Sequence, residues 1–519
     1  MYSMKSPWPV DGFIVMVVSM PLRRWPFVVV LTLFGGCDGC DGPEESVDVS
    51  AQRPEPDVRI VAITDLQGTL APCGCTSRPL GGIDRLVHFV EGAGDNVLFV
   101  SAGNVLAGGP HHGGPESHET DRWKSEAVAA ILSAEDVRAM NGPADAECGV
   151  ALPGALLFDA EEDTAVVDVA NSKVGLIALR TAEDVTTLAD RARALRAEGV
   201  DVVLVLGYGN RRTLRDAASV EGVDFVLQGG LDSEEALPPS NSSRADGWLL
   251  HAGRQGQRVL TLDLYLRGEG PFTNISDWNV DVDRGRLNAE IEDLGQRLDE
   301  WTEDGRSAEE LRPQRDRLTA LETERDTLRV PTLPSDSPAF YASLTELDPD
   351  MERSSSVQVE LATLDLRVND HNREAYADRR PPEPAEGAPH YVGSAACASC
   401  HEEAFSWWQG HPHGHAYATL EAVNKQFHLD CVGCHVTGYE RPGGSTVTHN
   451  LDGALTNVGC ENCHGPGSQH IVVPGDHSLP AETQESTCTG CHNEEHSDLF
   501  NYEVYRQTLL VPGHGRPSL

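Results

Sequence analysis

The feature that most constrains this chain is a five-residue pattern found four times between Cys397 and His492: Cys397-Ala-Ser-Cys400-His401, Cys431-Val-Gly-Cys434-His435, Cys460-Glu-Asn-Cys463-His464 and Cys488-Thr-Gly-Cys491-His492. Two thiols one short turn apart can each form a thioether to a porphyrin vinyl group, and the histidine that follows is then held under the iron as its proximal ligand. A single copy also arises in zinc knuckles and redox dithiols. Four copies point elsewhere, because zinc sites take their histidine from a position several residues away rather than from the residue abutting the second cysteine. The pattern predicts four covalently attached c-type haems. The segment has few long apolar runs and many Gly, His and Pro residues, so the porphyrins must supply its hydrophobic core and the cofactor-free segment should not fold alone.

The 519 residues allow two to four domains. A net charge of -41 disfavours nucleic acid as a partner. Solubility accounts for most of that charge, and an acidic surface also steers basic redox partner proteins. Of 13 cysteines, eight lie in the repeated motifs, leaving Cys37, Cys40, Cys73, Cys75 and Cys148. That remainder is odd, so at least one thiol serves something other than an internal disulfide.

The first apolar stretch is split into Phe13 to Met20 and Trp25 to Phe34 by Arg23-Arg24, too short on either side for a single spanning helix, which takes about 20 residues. Read from Met20, basic residues precede Phe27 to Phe34, and Gly35-Gly36 precede Cys37, the order of a secretory signal. Phe34-Gly35-Gly36-Cys37 resembles a bacterial lipoprotein cleavage box, with Phe where Leu is usual; the resemblance implies lipidation of Cys37 and a membrane tether. A plain signal peptide cut elsewhere is the alternative. Either way the chain is expected outside the cytoplasm, in the periplasm or on the outer surface. Residues 1–36 are thus read as leader and 37–56 as an acidic, Ser- and Pro-containing tether.

From Val58 onward, short apolar runs alternate with amphipathic stretches: Val58 to Ile63, Val97 to Val100, Ala165 to Val169, Val174 to Leu179, Val202 to Leu206 and Val223 to Leu227, with helices at Trp123 to Leu132 and Ala182 to Ala197. Residues 57–275 therefore read as an α/β domain. Its strand ends carry Thr64-Asp65-Leu66-Gln67-Gly68, Ser101-Ala102-Gly103-Asn104, Gly207-Tyr208 and Gln228-Gly229-Gly230. This order resembles the metallophosphoesterase domain of periplasmic 5'-nucleotidases, in which histidines and aspartates at those ends hold two metals. Asp65 matches the first carboxylate, but Gln67 replaces a histidine, Asn104 the bridging aspartate, and the late histidines are missing. Neutral amides and glycines do not hold two dications side by side, so the fold is expected with the hydrolase lost. In the first loop, Cys73 and Cys75 suit a soft metal or electron exchange, joined by Cys148, or one of them suits a structural disulfide to Cys148.

Leu287, Ile291, Leu294, Leu298 and Trp301, then Leu311, Leu318, Leu321 and Leu328, step at coiled-coil spacing around the break Asp304-Gly305-Arg306, predicting an antiparallel helical hairpin over 280–330. Ser307 and Glu310 form a capping box for its second helix. In the connector at 331–390, Val357, Val359 and Leu361 alternate, as do Leu364, Leu366 and Val368, which predicts a bulged strand.

Residues 391–519, a mainly α and irregular segment, carry Tyr391-Val-Gly-Ser before the first motif, His413-Gly-His415-Ala-Tyr417-Ala-Thr-Leu420, Gly438-Tyr439 and Cys463-His464-Gly-Pro-Gly467-Ser-Gln-His470. Together with the motifs these resemble the tetrahaem cytochrome c family that takes electrons in hydroxylamine oxidation. The resemblance implies distal iron ligands at His413, His470 and His496, and an open distal face at the second haem, on His435. His428, His449 and His477 are spare histidines that would close that face instead, and His411 and His415 flank His413 without the sequence deciding among the three. The reading that results is an exported, membrane-tethered tetrahaem electron carrier fused to an inactive phosphoesterase-like domain. Its alternative is an enzyme that reduces a small nitrogen compound at an open haem, or a redox or metal-dependent phosphoesterase reaction at Asp65 and Cys73/Cys75.

Overall fold

The computed structural model describes residues 53–516 except 73–77, 95–96, 107–117, 140–149, 151–163, 232–235, 242–245, 452, 494–496 and 498. The leader, Cys37, the thiols Cys73, Cys75 and Cys148, and His496 lie outside the described residues. In chain order the α/β part comprises β1 (Val58–Thr64), α1 (Ile83–Gly92), β2 (Val97–Ala102), α2 (His118–Ala134), β3 (Arg138–Ala139), β4 (Thr164–Val169), β5 (Ser172–Leu179), α3 (Val185–Ala197), β6 (Val202–Tyr208), α4 (Arg211–Ala218), β7 (Phe225–Gly229), β8 (Leu237–Ser240), β9 (Trp248–His251), β10 (Arg258–Tyr265) and β11 (Thr273–Asn274). Then come α5 (Asp277–Glu303), α6 (Ala308–Thr327), β12 (Ala339–Glu346) and α7 (Ser355–Ala375).

The strands form two six-stranded sheets, ordered β11-β12-β10-β1-β2-β3 and β4-β5-β6-β7-β9-β8. Pairing is parallel from β1 to β2 and from β5 through β6 and β7 to β9, with antiparallel strands such as β10 and β4 alongside. Central strands are apolar on both faces because both are covered. In β1, Ile60 and Ala62 pack into the core between the sheets, while Val61 and Ile63 pack under α1 and α2. Likewise Leu204 and Leu206 of β6 face the other sheet, and Val203 and Val205 face α3 and α4. The result is a four-layered α/β/β/α sandwich.

Two expectations for the connector are corrected. Residues 339–346 are not outside the sandwich: β12 pairs antiparallel with β10 along its whole length, from Arg258 opposite Glu346 to Tyr265 opposite Ala339. The sheet therefore continues past residue 275, and the hairpin α5/α6 is an insertion between two of its strands. Ser307 and Glu310 do exchange capping hydrogen bonds at the start of α6, the Ser307 hydroxyl accepting from the Glu310 N–H and the Glu310 carboxylate from the Ser307 N–H. The bulged strand at Val357 to Val368 is instead helix α7. Val357 and Val368 are buried and Leu361 and Leu364 half-buried, whereas Val359 and Leu366 stand in solvent. The buried positions step by four, three and four residues, a helical stripe that the alternating apolar letters concealed.

The haem-motif segment consists of α8 (Glu402–Gly410), α9 (Ala416–Glu421), α10 (Leu429–Val432), α11 (Cys460–His464), α12 (Glu485–Cys488), α13 (Tyr502–Leu509) and turns. Helix α7 joins it to the sandwich. Its outer turns pack on α1 and α2, and the Asn372 amide donates to Phe427 O at 2.9 Å while Asn369 Oδ1 accepts from Phe427 N at 3.0 Å. Lys124 of α2 pairs with Asp430 of α10.

Candidate haem centre

Each motif sits on a short turn that its neighbours hold in place. Glu461, inside the third motif, is 2% exposed, and its carboxylate accepts from the N–H groups of Val392, Gly393 and Gly467 at 2.7 to 3.0 Å. Ser394 Oγ accepts from Cys460 N at 3.1 Å. These bonds clamp the entry to the first motif against the third. Gly393 has φ +83°, and a Cβ there would collide with Ala454 O, so the sharp approach needs glycine.

The motif histidines show a second regularity. His401 faces His470 with ring centroids 6.4 Å apart, His492 faces His413 at 6.1 Å, and His464 faces His514 at 6.2 Å. Other ring contacts in the same segment run from 4.7 Å, for Trp407 with His411 and for His492 with Phe500, to 6.0 Å, for His492 with Tyr505. With metal–nitrogen bonds of about 2.0 Å, two imidazoles trans across one metal ion place their centroids about 6 Å apart. The wider spacing is therefore the one that a shared iron requires.

Hydrogen bonding fixes the tautomers to match. Nδ1 of His435, His464, His470 and His514 lies 2.6 to 2.9 Å from the carbonyl oxygens of Ala416, Pro480, His477 and Leu509. Opposite a carbonyl, Nδ1 must carry the proton and donate, which leaves the Nε2 lone pair for a metal. His492 Nδ1 lies 3.0 Å from Ser497 Oγ. His413 is pushed down to about 4 by burial and then by the neighbouring His411 and His492, so the imidazole is neutral and able to ligate. This donor set fits haem, with a thiol pair and an imidazole at each motif and a second imidazole opposite three of them.

Two of the three flanking histidines differ in their surroundings. His413 faces His492, and Val458 N donates to its carbonyl; His411 accepts from His413 N with its own Nδ1 and packs on Trp407. Of the predicted distal ligands, His413 lies opposite His492 and His470 opposite His401, and His496 is outside the described residues. His514 was missed by the sequence reading. It lies 22 residues beyond His492 in no motif, and only its position opposite His464 reveals it.

The second motif differs from the others. Among the described residues no aromatic or histidine ring faces His435. The spare His428 does not close the site, since its Nε2 lies 3.2 Å from Asp365 O at the foot of α7. Cys431, Cys434 and His435 line the same space as Cys463, Cys488 and His492. The Cys397 and Cys460 thiols share a hydrogen bond, which lowers the Cys460 pKa to about 6, and burial raises Cys463 to about 11 with Cys488 close by. The first motif therefore touches the third and the third lies close to the fourth, while Asn462 of the third donates to Val436 O beside the second.

The model of the family described as cytochrome c554 and c-prime matches residues 396–465, spanning the first three motifs. The C-terminal segment is similar to cytochrome c554. Cytochrome c-554 of Nitrosomonas europaea is 34% identical over 112 residues, which cover 19% of this chain and 46% of that protein. The chain thus spans about half the length of the curated relative it matches. The similarity implies covalently bound haem c. Solved structures similar to the chain include the 5'-nucleotidase precursor of Thermus thermophilus, 14% identical over 77% of this chain and 87% of that one with a TM-score of 0.36. The NAD nucleotidase of Haemophilus influenzae is 16% identical over 40% and 52%, with a TM-score of 0.31. Those superpositions are too loose to carry weight; the sandwich rests on its own sheet topology.

At the carboxyl end of β1, Asp65 is 1% exposed and its carboxylate accepts from Asn104 N at 3.0 Å and from Gly230 N at 2.8 and 3.0 Å. It ties together the ends of β1, β2 and β7. A Cβ on Gly103 would collide with Asp65 Oδ1, and one on Gly229 would collide with Gly103 Cα. The strand ends are drawn together so closely that no side chain fits between them. His251 is also structural, with Nδ1 3.0 Å from Gln228 O.

Proposed function

We propose that this chain is an exported tetrahaem c-type cytochrome, tethered to a membrane through a lipid on Cys37, that passes electrons between redox partner proteins along its haems. The observation that carries this reading is the set of three histidine pairs at 6.1 to 6.4 Å. Six-coordinate haems have no open position for substrate, and neighbouring ones relay electrons. The test is the intact mass and redox spectrum of protein made in a cytochrome-maturing host. Four haem increments and a low-spin reduced spectrum are expected; colourless protein with free thiols would remove the proposal.

The α/β domain serves docking or sensing rather than hydrolysis, because the oxygens of Asp65 are engaged by backbone amides. Nucleotide hydrolysis with added manganese or zinc should stay at background. A second reading, reduction of a small nitrogen compound at the haem on His435, is favoured by the lack, among the described residues, of a ring opposite that histidine. A new absorption species on adding nitric oxide to the reduced protein would support it.

A further inference from the structure

Among the described residues of the haem segment one carboxylate is buried, that of Glu461. The buried carboxylate of Asp84, in α1, meets the guanidinium of Arg353. Glu461 has no such cation beside it among the described residues. Its partners are backbone N–H groups: Oε1 accepts from Val392 and Gly467, and Oε2 from Val392 and Gly393. Both oxygens act as acceptors, as those of an ionised carboxylate do. Keeping a charge inside a protein without a counter-charge is costly, and the amides offset that cost.

A clamp on backbone N–H groups does not by itself call for a full charge. Neutral oxygens serve elsewhere in the same segment: Ser394 Oγ accepts from Cys460 N, Ser468 Oγ from His390 N and Asn457 Oδ1 from Tyr417 N. The charge of Glu461 is therefore more than the clamp needs, and its position says where it acts. Glu461 follows Cys460, whose thiol shares a hydrogen bond with that of Cys397. Its oxygens hold the residues that lead into the first motif and, through Gly467, the turn that leads to His470 opposite His401. The charge is felt at that approach, where the Tyr391 hydroxyl is raised above its ordinary value by burial and, against the pull of Arg441, by Glu461.

We propose that Glu461 sets the reduction potentials of the first and third haems, its buried and uncompensated carboxylate favouring ferric over ferrous iron at both, so that electrons reaching this pair are passed on rather than held. Each haem takes one electron, ferric to ferrous, with no bond made or broken. Reduction removes a positive charge from the site, and a nearby fixed anion opposes that loss. A unit charge acting at about 10 Å through an effective dielectric of about 20 changes such an equilibrium about tenfold. The inference rests on the reading that these motifs carry haem and relay electrons, and it names the residue that tunes the relay.

Potentiometric titration of the full-length holoprotein, followed by the haem absorption and resolved into its four components, tests it. Glu461→Gln should raise two of the potentials by at least about 59 mV, the one-electron equivalent of a tenfold change, and leave the other two in place. Glu461→Asp keeps the charge but shortens its reach to the amides, so it should lower the denaturation midpoint while the potentials stay as they are. Glu402→Gln, which removes an exposed charge beside His401, should move none. If Glu461→Gln does not assemble with haem, Glu461→Met removes the charge without turning a donor toward the amides and gives the same reading. Unchanged potentials in the neutral variant, equal shifts at all four haems, or equal shifts with Glu461→Asp would overturn the role of the charge while leaving the electron carrier standing. Unsubstituted protein that takes up no haem in a cytochrome-maturing host would remove that reading and this inference with it.

Discussion

The sandwich and the haem segment belong to one chain but are held together by different means. Between its sheets alone the sandwich buries twenty-three apolar residues, from Val58 to Ala342. In the haem segment the buried apolar residues are Tyr417, Leu420, Val432, Val436, Val447 and Leu455, against buried polar groups at Ser394, His428, Thr437, Ser445, Thr446, Glu461 and Ser468. Those polar groups bond mainly to backbone, as Ser445 Oγ does to Thr437 O and Ser468 Oγ to His390 N. A core made by apolar burial stands by itself. One made of side chain to backbone bonds around thiols and imidazoles depends on what those groups hold.

The largest effect should come from withholding the cofactor. In protein produced without haem maturation, amides of β1, β6 and β10 should stay protected in hydrogen exchange, while residues 391–516 exchange rapidly and are cut by protease. Equal protection in both regions would erase the contrast, because the haem segment would then own a core that its side chains do not supply. Metal-dependent folding of small domains sets the precedent for an all-or-none response.

How much of this was legible in the sequence follows the same division. Apolar runs such as Val202 to Leu206 announced the buried strands because burial on both faces leaves a direct mark on residue type. The haem motifs were legible because covalent attachment dictates local spacing. What escaped depends on residues far apart. Val357 to Val368 offered both a period of two and a helical stripe, and packing on α1 and α2 chose the helix. The fate of Asp65 was hidden because its partners Asn104 and Gly230 lie 39 and 165 residues away. His514 was hidden because its pairing with His464 is tertiary and has no motif.

That pairing supplies the next test. His514→Ala should leave the haem on His464 with one imidazole, so the reduced protein should bind one further carbon monoxide per chain and show a new high-spin signal in electron paramagnetic resonance. His496→Ala, at the position favoured by the sequence resemblance, should change neither. The reverse outcome would exchange the two assignments and remove the geometric argument built on ring separation.

A smaller effect is expected at Glu461. Replacing this buried carboxylate by glutamine keeps the shape but turns an N–H donor toward the amides of Val392, Gly393 and Gly467. The loss should be about 2 kcal/mol, the scale of charged hydrogen bonds left unmade. It should appear in denaturation followed by the haem absorption and not in the unfolding of the sandwich. Equal shifts in both would mean that the two regions unfold as one.

The weakest lever is the ion pair that joins the regions. Lys124 is raised above its ordinary pKa of 10.5: burial pulls it down, and Asp430 and then Asp121 more than offset that. A raised lysine stabilises the folded state fully below its unfolded pKa and loses that contribution as pH climbs through the folded value. Lys124→Ala should therefore cost no more than about 1 kcal/mol, by an amount that stays constant from pH 6 to 9 and fades only above about 10.5. The check is the difference in haem-segment denaturation midpoint between the two proteins across that range. A difference that shrinks already between pH 6 and 9 would mean that some group other than this ammonium carries the join, and that α7, through Asn369 and Asn372, holds the haem segment to the sandwich without it.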